Sequence, residues 1–260
     1  MLKNLCLLFA LIWILPLSVH AQSSLERLDK IADEALQLVR GDRLPETVRM
    51  LDYFSNQFMA LNEKEEAFNM DELRIMSSAY DEAVKAVESK TATLTERISQ
   101  VTKLRLVVDA IGTNHQPMWT EMEDQMMATF TAAKQAIKTQ DMEKLDQGLN
   151  LILSQYSLIY PSLAVDISPE KIQKLDARVQ YIGQSSPGML LKKNNSDELN
   201  ALQTDLQSIF EDMKEDEADP SLWWVIISTG SIIIMTLSYV GWRKYRGGKT
   251  SVSKGKEQND

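Results

Sequence analysis

The sequence predicts an all-α protein in which antiparallel helical hairpins, arranged as a bundle or a short α-solenoid, precede one C-terminal transmembrane helix. Three observations carry that expectation. Apolar residues recur every three or four positions almost throughout residues 22–221. No alternating apolar and polar run of useful length interrupts them, so no sheet is expected. Residues 222–242, LWWVIISTGSIIIMTLSYVGW, hold no charged side chain and are followed at once by Arg243, Lys244 and Arg246.

The chain opens with Lys3, an apolar run from Leu5 to Leu17, and Val19-His20-Ala21, which sets small residues at the −3 and −1 positions of a cleavage site. Residues 1–21 are therefore read as a cleaved signal peptide, with an uncleaved anchor as the alternative. Cys6 precedes the apolar run, the wrong position for a lipid-modified cysteine.

Eight helices follow, marked by apolar stripes over Leu25–Val39, Leu44–Leu61, Leu73–Val87, Leu94–Ile111, Met118–Ile137, Met142–Ile159, Ile172–Ile182 and Leu199–Met213. Ser23 with Glu26 and Thr93 with Glu96 have capping-box spacing, in which a hydroxyl accepts from an orphan N–H and the glutamate reaches back to the cap. Asn69 with Glu72 and Asn195 with Glu198 offer the same exchange from an amide. Ser168-Pro169-Glu170 places Pro at a first helical position, where its missing N–H costs nothing. Gly41, Gly112 with Pro117, Pro161 and Gly183 are expected to close the helices before them. Short turns at Gly41-Asp42-Arg43 and Thr139-Gln140-Asp141 force neighbouring helices side by side. A tetratricopeptide pattern laid on Gly41 puts Ala60 on a small-residue position but Tyr53 and Gln57 where Ala and Phe are wanted, a weak match. Residues 183–195, GQSSPGMLLKKNN, lack periodicity and read as a loop.

At about 1.5 Å per residue, residues 222–242 give roughly 31 Å of helix, the thickness of a hydrocarbon core. The basic cluster after Trp242 marks the cytoplasmic side. The expected order is a signal peptide (1–21), an extracytoplasmic helical domain (22–221), a transmembrane helix (222–242) and a cytoplasmic basic tail (243–260). Trp223, Trp224, Trp242 and Tyr245 read as interfacial belts, and no G-x-x-x-G signals tight dimerisation. The exported part holds 21 Lys and Arg against 35 Asp and Glu and no cysteine. Such a surface argues against nucleic acid and anionic lipid as partners, and the fold must stand on packing without disulfides.

No catalytic, cofactor-binding or metal-binding residue is assigned, and no cofactor is expected. The exported part has one histidine, His115, with no G-x-S-x-G beside it, and is read as a solvated or capping residue. Glu63, Glu65 and Glu66, and Asp81 with Glu82, look like solvated helix faces, although a paired carboxylate site stays open. The acids from Glu211 to Glu217 lack the spacing of an EF-hand. Trp119, Met122, Met126, Met127 and Phe130 suggest either a soft groove or core packing, with packing favoured. Gly247-Gly248-Lys249-Thr250 mimics the end of a P-loop, but the first glycine would fall on Arg243.

Residues 217–245, EADPSLWWVIISTGSIIIMTLSYVGWRKY, together with LDYFSNQF from Leu51 and SLIYPSLAVDIS from Ser157, resemble the YpjB family of sporulation proteins in endospore-forming bacilli. The resemblance covers essentially the whole chain. It implies a protein made in the mother cell and needed for efficient spore formation, with no functional residue to carry over. The expected function is that of a single-pass membrane sporulation protein whose acidic exported domain is a non-enzymatic protein-interaction module. The alternatives are a carboxylate-based hydrolase acting on cell-wall material and a one-pass sensor relaying to a cytoplasmic partner.

Overall fold

A computed structural model describes residues 24–65, 67–113, 116–191, 193–215 and 227–241. The expected signal peptide, Ser23, His115, both ends of the expected span and the basic tail lie outside these residues. Two compact units divide at Ser208 and Ile209.

Every regular element among the described residues is helical. The helices are α1 (Ser24–Arg40), α2 (Leu44–Glu65), α3 (Met70–Glu88), α4 (Leu94–Gly112), a 3₁₀ turn (Met118–Met122), α5 (Glu123–Thr139), α6 (Met142–Asp166), α7 (Pro169–Gln184), the single-turn α8 (Pro187–Leu190) and α9 (Lys193–Glu215). A further helix, α10, runs over 227–241.

Local chemistry accounts for the ends. Asn69 and Thr93 form reciprocal capping boxes with Glu72 and Glu96. Pro169 opens α7 as expected, although Ser168 makes no side-chain capping bond. At the α1–α2 turn the left-handed residue is Asp42 (φ 55°), not Gly41. The Arg43 N–H donates to the Leu38 carbonyl at 3.0 Å and the Asp42 N–H to Val39 at 3.0 Å, the two bonds of a Schellman motif. Gln140 (φ 57°) closes α5 in the same way, with Asp141 N–H on Ala136 at 2.9 Å.

Three expectations are corrected. Pro161 does not stop its helix: α6 continues to Asp166, because Leu163 beyond it is fully buried and its packing offsets the lost backbone bond. The expected loop 183–195 is largely helical. Gly183 lies inside α7, with space for a Cβ only 3.6 Å from Leu153 Cδ1, Pro187 opens α8, and α9 already begins at Lys193, so Asn195 stands inside it and not before it. The stripe Met118–Ile137 is two elements, since the Met118 N–H is held by Asp109 Oδ2 at 2.6 Å and the Thr120 hydroxyl donates to Pro117 at 2.7 Å, tightening the first turn to 3₁₀.

In the first unit α1 packs on α2 and α4, and α3 also packs on α2 and α4, so the four helices close on themselves. Leu28, Val39, Leu51, Phe54, Met76, Ala83, Leu104 and Val108 fill the interior, and Phe54 stacks on Phe58 at 6.2 Å. The other face of α4 carries α6, which pairs with α5. Gly148 lets that hairpin close: a Cβ there would lie 3.1 Å from Ala133 Cβ. Lys174 and Arg178 of α7 reach Asp205 of α9 at 2.8 and 2.9 Å, and Arg178 also donates to Glu198 at 2.6 Å.

In the second unit α10 exposes Ile227, Ile232, Ile233, Ile234, Met235, Leu237, Tyr239 and Val240 on all sides. Among the described residues no helix is long and apolar enough to cross a membrane. Residues 222–226 and 242, which the expected span adds to α10, lie outside the described part.

Candidate functional site

A groove of about 1050 Å³ opens between α3, α6 and α7. It exists because α3 and α6 both pack on α4 while touching each other little, and because their facing positions are small: Ser78 and Ala79 on α3, Ser157 and Ala164 on α6, Ala177 on α7. Ile75, Pro161, Ile167 and Ile172 supply an aliphatic lining. Such a mixture of apolar wall and few polar groups suits a side-chain-bearing ligand.

The polar groups fall into two sets. On the α3 side, Lys103 reaches in from α4 and donates to Glu82 Oε2 at 2.8 Å, and Arg74 donates to Asp71 Oδ1 at 3.2 Å. Lys103 is only 9% exposed, so its ammonium depends on Glu82; the Arg74 pair is solvated and contributes little. On the α7 side, Asp176 accepts from the Tyr156 hydroxyl at 2.8 Å, and the Tyr156 and Tyr160 rings sit 5.7 Å apart. Burial first, then the Asp176 carboxylate, push both phenols up, so both remain neutral. Glu170, in the first turn of α7, also lines the groove.

A second polar cluster lies where α1 meets α4. Arg105, 7% exposed, donates from Nη1 to Asp29 Oδ1 at 2.6 Å and from Nη2 to Asp29 Oδ2 at 3.2 Å, with Asp33 and Asp109 each 3.8 Å away. Nearby, Asp166 accepts the Trp119 indole N–H at 2.7 Å. Burial raises Asp29 and Asp109 despite Arg105, and raises Asp166 to about 6, the indole bond offsetting only part of the cost.

The residues singled out from sequence are only partly gathered here. Trp119, Met126 and Phe130 are buried and Met122 and Met127 half-buried, so this set is core packing and not a groove. Glu63 and Asp81 are exposed, as expected, and the burial of Glu65 and Glu66 lies outside what is described. Glu82 is not merely solvated, because it carries Lys103. Lys103 and Arg105 were not anticipated as buried cations. Their signal is two cations two residues apart inside the run Val101–Val108, where an amphipathic helix would be apolar on one face only. Among the described residues no group of three or more His, Cys, Asp or Glu is placed to hold a metal.

Fold and groove define an all-helical protein with a cleft of ligand size between packed hairpins. A family model described as Sporulation protein YpjB (SpoYpjB) matches residues 25–254. The chain belongs to the YpjB family of sporulation proteins. A Bacillus subtilis (strain 168) protein that carries the name "Uncharacterized protein YpjB" is 31% identical over 254 residues, covering 96% of this chain and 96% of its own. No solved structure matches.

The raised carboxylates make stability depend on pH. A carboxyl whose folded value lies above its unfolded one binds its proton first in the folded state, so the stability contributed by neutral Asp166 falls as pH rises from about 4 through about 6. Asp166→Asn keeps an oxygen acceptor for the indole and removes the charge. It should raise stability at pH 8 by about 1–2 kcal/mol and flatten the slope between those limits, read from thermal unfolding of the full chain at a series of pH values; an unchanged slope would place the titrating group elsewhere.

Proposed function

We propose that this chain is a single-pass protein of the cell membrane in sporulating cells, the mother-cell membrane by family resemblance, whose helical domain faces outward and holds a partner protein in the groove between α3, α6 and α7. The basic tail then lies in the cytoplasm. The groove is the observation that carries the reading. Asp71 and Glu82 are engaged by cations and Asp176 by tyrosine hydroxyls, which leaves Glu170 as the one lining carboxylate without a bonded partner among the described residues; one free carboxylate supplies no acid/base pair, and the module is read as non-enzymatic. Membrane attachment is supported by the uncharged run 222–242, by the basic residues after it, and by α10, whose apolar side chains face outward all round as lipid contact requires. The sporulation setting is supported by the family.

Two experiments test this. A cysteine placed at exposed Glu34 should react with an impermeant maleimide added to intact cells, and one placed at Ser251 should react only after lysis; the reverse pattern would overturn the topology. Ala177→Trp should fill the groove from an exposed helix position, weaken partner binding about tenfold, the effect of about 1.4 kcal/mol of lost contact, and lower spore yield. An immunoblot should show unchanged levels of the chain in membranes. Normal sporulation with the groove filled would remove the groove from the account.

A further inference from the structure

The geometry points to a cationic occupant for the groove: a segment of a partner protein that presents two lysine or arginine side chains to Glu170 and Asp176 on the α7 wall. This rests on the groove being the contact surface proposed above.

Of the four carboxylates that line the groove, two are already matched by cations, Asp71 by Arg74 and Glu82 by Lys103. The other two are not. Glu170 has no ion-pair or hydrogen-bond partner among the described residues, and Asp176 receives only the neutral hydroxyls of Tyr156 and Tyr160. The surplus charge of the groove is therefore confined to one wall. Six residues of helix separate the two, a rise of about 9 Å along the axis with a turn of about 120° around it. In an extended chain residues two apart share a face, about 7 Å from each other, and the long stems of lysine or arginine spread from there to reach both acids.

The opposite wall adds a matching feature. Pro161 has no N–H for the Ser157 carbonyl, which an uninterrupted α6 would bond four residues on; both residues line the groove. That wall thus offers a backbone acceptor to an N–H of the occupant. Ile75, Ala164 and Ile172 supply apolar contact for the stems of long basic side chains.

The test uses the full chain in nanodiscs of phosphatidylcholine, whose neutral surface does not attract basic peptides. The probe is a fluorescein-labelled peptide of about a dozen Ala and Val residues with two lysines two residues apart, on one face of an extended chain, compared with a twin whose lysines are acetylated. Fluorescence anisotropy should show the acetylated twin binding about tenfold more weakly, and Glu170→Gln or Asp176→Asn should each remove much of that difference. Glu170 is exposed and unbonded, so its variant gives up no more than the modest effect of a charge in the first turn of a helix. The proposal is overturned if the twins bind alike, if neither binds, or if both variants keep the preference. Should Ala177→Trp block both peptides equally while acetylation makes no difference, the groove remains the contact surface and only its charge selectivity falls. Should Ala177→Trp leave binding and preference intact, the groove reading falls with it.

Discussion

Arg105 sits where the bundle closes. The first and fourth helices are 76 residues apart at the Arg105–Asp29 contact, and their packing completes the ring of α1 to α4. A guanidinium this buried cannot be left alone, because removing a partner strands an unsolvated charge. The bidentate bond to Asp29 therefore does more than join two side chains. It fixes the register of α1 on α4 in a way that apolar contacts among Leu28, Ala32 and Leu104 alone would specify less tightly. The cluster around it is acidic overall, with Asp33 and Asp109 near the same cation, and the cost appears as carboxyls held above their usual range.

Two residues earlier on the same helix, Lys103 points to the other side of α4 and is held by Glu82 of α3. These two cations make α4 a partition. On one side it closes a bundle; on the other it forms part of the groove against which α3, α6 and α7 are set. The groove is thus not a gap left by poor packing. Its small facing residues leave the space between the walls open, its inner cation is neutralised by the chain itself, and its uncompensated charge lies on α7, which Lys174 and Arg178 tie to Asp205 and Glu198 of α9. For a family of sporulation proteins, such a cleft supplies a place where recognition can be sought at named residues.

Much of the fold was legible because helices announce themselves locally. The capping boxes at Asn69 and Thr93, the Pro169 start and the turns near Gly41 and Gln140 follow from side chains within four residues of each other. Pro161 was misread because its effect is decided by Leu163 packing elsewhere, which a local rule does not contain. Residues 183–195 were misread for the same reason, since Gly183 packs against Leu153 of another helix. The left-handed turn fell to Asp42 because an Asp tolerates that conformation and the hydrogen bonds, not the glycine, set its position. The site was the least legible part. Glu82 and Lys103 are 21 residues apart, Asp29 and Arg105 76, and nothing in spacing alone joins either pair.

Arg105 and Asp29 should therefore be coupled energetically, with the seam and everything built on α4 depending on both. A double-mutant cycle with Arg105→Met and Asp29→Asn, read from denaturant unfolding of the full chain, measures that dependence without the cost of each single change. The account predicts a coupling of about 1.5 kcal/mol or more, within the range of contacting charged groups. A coupling near zero would mean that apolar packing alone closes the bundle and that Arg105 is a passenger.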